Sequence, residues 1–83
     1  MNSTQTKTLR AIFNNPVNGN LEWSKIESLF VAVGCRVIET KKGVAFEKDG
    51  AREYFHRPHP DKAALRYRVS AARSFLIRIG VRP

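Results

Sequence analysis

The dipeptide Asp49-Gly50 constrains this 83-residue chain more than any other feature. It separates Val44–Lys48 from Ala51–His56, two short runs with the alternation of strands. Residues of this type accept the positive φ angles of a tight type I′ hairpin turn. Just upstream, Val37 and Ile38 lie in a further expected strand, Arg36–Thr40, with Lys41-Lys42-Gly43 as the intervening turn. Pro58 and Pro60 stop the third strand.

On either side the apolar spacing is helical. Leu9, Ile12 and Phe13 predict a first helix capped by Ser3 or Thr4 and ended by Asn14-Asn15-Pro16. Trp23, Ile26, Leu29, Phe30 and Val33 form the stripe of a second, from about Leu21 to Val33, with Gly34 placed for a left-handed cap. Asp61–Arg68 is polar and has no clear period. A last helix has Ser70 as its cap, Ala72, Phe75, Leu76 and Ile79 as its inner face, and Gly80 as its end. The expected fold class is therefore α+β, in the order α-α-β-β-β-α, with a three-stranded antiparallel sheet and helices packed on one face. Residues 1–20 are read as an N-terminal helix and linker and residues 21–83 as the main domain, together a single compact unit.

Charge narrows the functional classes. The net charge is +8, and residues 41–83 hold eleven Lys and Arg against four Asp and Glu. Such a field attracts polyanions, nucleic acid first and an acidic protein second. The bland alternative is a solvated basic surface without a ligand. Cys35 is the sole cysteine, so no internal disulfide and no cysteine metal cluster can form. No apolar run reaches the roughly 18 residues of a membrane span, and Met1–Lys7 lacks the apolar stretch of a signal peptide. The expected location is the cytoplasm, with no membrane partner.

Phe55-His56-Arg57-Pro58-His59-Pro60 places the two histidines of the chain three residues apart, where a strand gives way to a loop. Arg57 and His59 both precede prolines, which biases them toward extended, rigid geometry. Histidine suits RNA cleavage without a metal. A neutral imidazole takes the proton of a ribose 2′-hydroxyl, and an imidazolium protonates the leaving 5′-oxygen. His59 and His56 are the candidate catalytic residues, with the roles of acid and base open between them. Lys41, Lys42, Arg57, Lys62, Arg66 and Arg68 are the candidate RNA-binding cations. No metal site is expected, because two histidines and a carboxylate such as Asp61 leave a ligand set incomplete. A structural role for the histidines is the competing interpretation, and His56 can equally alternate to the core side of its strand. Tyr54 and Tyr67 are read as core or surface packing residues before base-stacking ones.

From Glu22 to Val81 the chain resembles the HicA family of bacterial toxins. The resemblance rests on the helix Trp23–Val33 ending in Gly34, the three-strand region, the Arg57-Pro58-His59-Pro60 turn, and the closing Ile79-Gly80-Val81. The run Phe55–Lys62 followed by Tyr67-Arg68-Val69 is most similar to a longer subgroup with an extra N-terminal helix. This resemblance implies a fold like that of double-stranded-RNA-binding domains and a ribosome-independent, cofactor-free endoribonuclease activity on mRNA. It also implies neutralisation by a HicB-type antitoxin that covers the active surface and carries the operon's DNA-binding element, so no sequence-specific DNA binding is expected of this chain. Typical members carry a catalytic histidine in a Gly-Ser-His stretch at the start of the second strand. Here the matching stretch is Lys41-Lys42-Gly43, with Gly43 at the histidine position. Three possibilities follow: His59 or His56 has taken the role, the chain is a non-catalytic RNA-binding module, or it is a weakened homologue whose basic face binds an acidic protein.

Overall fold

The computed structural model describes residues 1–17, 19–57 and 64–83. Its elements are α1 (Ser3–Ile12), α2 (Trp23–Ala32), β1 (Arg36–Glu39), β2 (Val44–Lys48), β3 (Ala51–Phe55) and α3 (Arg66–Arg78). The strands form one antiparallel sheet in the order β1-β2-β3. This is the expected α+β order of elements. No helix among the described residues is long and apolar enough to cross a membrane.

The hairpin forms where Asp49-Gly50 placed it. Asp49 has φ +52° and Gly50 φ +83°, both in the left-handed region, and Lys48 pairs with Ala51 across the turn. Gly34 and Gly80, at φ +95° and +79°, end α2 and α3 in the same way. In α2 the N–H of Gly34 donates to the Val31 carbonyl and that of Cys35 to Phe30. In α3 the N–H of Gly80 donates to Ile77 and that of Val81 to Leu76. Each pair closes a Schellman motif and satisfies carbonyls that the helix end leaves free.

The helix starts differ from expectation. Asn2, not Ser3 or Thr4, caps α1: its side chain accepts from the Gln5 N–H at 2.8 Å, and Gln5 Oε1 accepts from the Asn2 N–H at 2.9 Å. This reciprocal capping box satisfies two end groups at once, which a lone hydroxyl cannot do. The second helix begins at Trp23 because Leu21 is held outside it, its carbonyl accepting from the Ala64 N–H. α3 begins at Arg66 with Leu65 as its cap, so Ser70 lies inside the helix. Burial of Val69 on the α3 inner face extends the helix a full turn upstream without a side-chain cap.

The core lies between the helices and one face of the sheet. Val44, Phe46 and Phe55 point inward to meet Leu9 and Ile12 of α1, Trp23, Ile26, Leu29 and Phe30 of α2, and Val69, Ala72, Phe75 and Leu76 of α3. Phe30 sits at the middle, its ring centroid 4.7 Å from Phe46, 5.7 Å from Phe55 and 5.4 Å from Phe75. Cys35 joins this core, and burial pushes its thiol pKa up, so it behaves as a small apolar residue.

α1 is part of the same core, and one side chain locks it there. Arg73 of α3 donates from Nε to the Ile12 carbonyl at 2.8 Å, from Nη2 to Asn14 at 2.6 Å, and from Nη1 to Asn15 Oδ1 at 3.2 Å. A guanidinium fork thus satisfies the free carbonyls at the α1 C-terminus, where the helix dipole also favours a cation. Arg73→Ala is expected to lower stability by about 2 kcal/mol in urea denaturation, and Arg73→Lys to recover less than half of that. Full recovery by lysine would show that charge alone, without the fork, anchors α1.

Candidate functional site

The register of the sheet brings several of the candidate residues to one end. Val44 pairs with Phe55, so the next pair outward places Gly43 opposite His56. On the other side Glu39 pairs with Val44, and Thr40 and Gly43 close the turn. The Thr40 N–H donates to the Gly43 carbonyl, and the Gly43 N–H donates to Thr40 Oγ1, each at 3.0 Å. Lys41 and Lys42 stand exposed on this turn, and His56 is exposed beside it. His56 follows the last strand residue and faces outward with Tyr54, because the inward position belongs to Phe55.

Gly43 is buried, and the space around it is closed. A Cβ built there overlaps the Phe55 carbonyl oxygen and comes within 2.9 Å of the Tyr54 hydroxyl and 3.1 Å of the His56 Cα. Position 43 therefore has no room for any side chain on this backbone. Its use here is close approach: Gly43 lets the lysine turn press against the end of β3.

Arg57 is the most heavily engaged of the candidate cations among the described residues. Its Nε and Nη2 donate to the two carboxylate oxygens of Glu27 at 2.9 and 3.1 Å, and its Nη1 and Nη2 donate to those of Glu39 at 3.0 and 3.1 Å. Glu27 also accepts from Trp23 Nε1. The guanidinium therefore joins α2, β1 and the end of β3 through two bidentate ion pairs, and its side chain is only 33 % exposed. These carboxylates raise the Arg57 pKa further, Glu39 foremost. Its charge is balanced within the protein, so reaching a phosphate requires it to release a carboxylate. What it does in this arrangement is hold the chain immediately after His56.

The ion pairs set an acid limit on stability. Arg57 holds the Glu39 carboxyl below its usual 4.5, chiefly by hydrogen bonding, and Arg52, then Arg36, do the same for Glu47. A lowered carboxylate pKa contributes stability that is complete above 4.5 and is lost as pH falls through the lower native value. Thermal midpoints are expected to hold down to about pH 5 and fall below it. Arg57→Ala is expected to cost about 2 kcal/mol at neutral pH, mainly through the half-buried Glu27, and to make the acid fall shallower. An unchanged acid profile in that variant would remove Glu39 and Arg57 from the account.

Arg66 and Arg68 lie on the first turn of α3, which has no acidic residue. Arg66 is exposed and lies against the backbone at Gly19, whereas Arg68 is half-buried with its guanidinium carbon 5.1 Å from the Tyr67 ring centroid. Two guanidiniums at a helix N-terminus form a second anion-attracting patch. His59 and Lys62 lie outside the described residues. Among those residues no group of three or more His, Cys, Asp and Glu is placed to hold a metal ion.

The two partners of Arg57 escaped the sequence. Glu27 and Glu39 stand 30 and 18 residues from Arg57, and nothing local marks them as its partners. Tyr54 and Tyr67, for which core and surface packing were both open, lie at the surface, 47 % and 62 % exposed. The alternation of Ala51–Phe55 carried the Tyr54 signal, since it sets that residue opposite to Phe55. Comparison with known proteins finds no matching family model, no matching curated protein and no matching solved structure.

Proposed function

We propose that this chain is a HicA-type toxin, an endoribonuclease that binds mRNA at the basic end of its sheet and cuts it without a metal. The observation that supports this most is the placement of an exposed imidazole, His56, directly beside the Lys41-Lys42-Gly43 turn. The α-β-β-β-α order from α2 to α3, with helices on one face of the sheet, is compatible with a fold like that of double-stranded-RNA-binding domains. The +8 charge suits mRNA and equally an acidic HicB-type antitoxin covering the same end.

The chemistry is transesterification. A base removes the proton from the ribose 2′-hydroxyl, the 2′-oxygen bonds to the adjacent phosphorus, and the phosphorus–O5′ bond breaks. The departing O5′ receives a proton, leaving a 2′,3′-cyclic phosphate on one fragment and a 5′-hydroxyl on the other. His56 supplies one of these proton transfers, and His59 is the chain's other imidazole for the second. Lys41 and Lys42 stabilise the charge that builds on the phosphoryl oxygens.

RNA binding without cleavage is the alternative that Gly43 favours, because the family's usual histidine position accepts no side chain here. One experiment separates the two. Defined mRNA is incubated with folded wild type, His56→Ala, His59→Ala and the double variant in excess EDTA. Fragments ending in 2′,3′-cyclic phosphate, lost when a histidine is removed, support the nuclease. RNA that stays intact while still bound leaves only the binding protein.

A further inference from the structure

The outward face of the sheet carries a feature that the cleavage chemistry does not use. Ile38, Ala45 and Tyr54 form one cross-strand row on it. Ala45 is only 5 % exposed, although it faces away from the core formed by Val44 and Phe46. Its neighbours in the row cover it, and Tyr54 is still 47 % exposed. The Tyr54 hydroxyl lies over Gly43, two residues before its partner Ala45 and just ahead of β2, where a Cβ would come within 2.9 Å of it. The ring therefore runs diagonally from β3 across β2 along the sheet. About half of the tyrosine stays open to solvent.

The surroundings of this ring are cationic. Arg36 and Arg52 occupy the neighbouring row and share Glu47 between them, at 2.8 and 2.9 Å. Beyond Gly43, at the other end of the ring, stand Lys41, Lys42 and His56. An exposed aromatic ring with cations at both ends matches the chemistry of an unpaired nucleobase, whose π-face stacks while its flanking phosphates meet the charges. A duplex offers no such base, because its bases already stack on one another.

We propose that this face is a stacking platform for an unpaired base of single-stranded RNA. Tyr54 is the stacking residue, Gly43 is the floor that lets its ring lie along the sheet, and Lys41, Lys42 and Arg52 engage the flanking phosphates. This rests on the RNA-directed function proposed above and adds the class of RNA and the residue that selects it.

The test is fluorescence anisotropy with a labelled single-stranded RNA of about ten nucleotides and a duplex of the same length. Tyr54→Ala is expected to weaken single-strand binding about 10-fold and leave duplex binding unchanged. Tyr54→Leu keeps Ala45 covered but lacks the ring, so it guards against misfolding and is expected to match Tyr54→Ala. Tyr54→Phe keeps the ring and is expected to restore the affinity. Salt-sensitive RNA binding that is indifferent to Tyr54 overturns the platform and leaves the RNA-directed function standing. A wild-type protein that binds neither RNA overturns both.

Discussion

Replacing His56 by alanine is expected to slow RNA cleavage by about 10²- to 10⁴-fold, the usual worth of a general acid or base, without moving the thermal midpoint. The two halves of this expectation have separate causes. His56 is exposed, beyond the last residue of β3, and contributes nothing to the apolar core. Its neighbour Arg57 carries the structural work at this point, through Glu27 and Glu39. Under the proposed function, removing the imidazole therefore subtracts proton transfer and little else. The informative comparison is single-turnover cleavage by His56→Ala and His59→Ala under saturating protein, with melting curves alongside. A rate within a factor of about three of wild type would take His56 out of the chemistry. A lost rate together with a lowered midpoint would mark it as structural.

The second large effect concerns Gly43. Gly43→Ala is expected to destabilise the protein by about 3 kcal/mol, and Gly43→His by more. The added carbon overlaps the Phe55 carbonyl oxygen, and backbone cannot swing aside as a side-chain tip can. β2 and β3 would have to part at the pair that also buries Val44 and Phe55. Gly50→Ala is the matched control. That glycine has φ +83° and no atom within 4 Å of an added Cβ, so only left-handed backbone strain opposes the change, at about 1–2 kcal/mol. Urea midpoints should rank wild type above Gly50→Ala and Gly50→Ala above Gly43→Ala. The reverse order would show that the lysine turn does not press on β3 as described. A histidine installed at position 43 is thus expected to unfold the sheet end.

Much of the fold was legible because its signals are local. Asp49-Gly50 sets two positive φ angles in sequence, and Gly34 and Gly80 each mark where a helix can end without a Cβ penalty. The alternation in Val44–Lys48 and Ala51–Phe55 settles which residues face the core. Helix starts were read less well. A Ser at position 70 has the chemistry of a cap, yet α3 begins at Arg66 because buried packing at Val69 outweighs a missing side-chain cap.

The site divides along the same line. The sequence by itself determined the sheet end as a place: the order of strands and turns puts Lys41, Lys42 and His56 within one corner whatever the helices do. Local backbone geometry and period-two alternation are properties of neighbouring residues, and these suffice for that much. Only the tertiary structure decided which groups are free to act there. It committed Arg57 to Glu27 and Glu39, closed the space at Gly43, and laid Tyr54 along the outer face. Each depends on approach between residues distant in the chain, and distances across a packed core are not encoded in any one stretch of it.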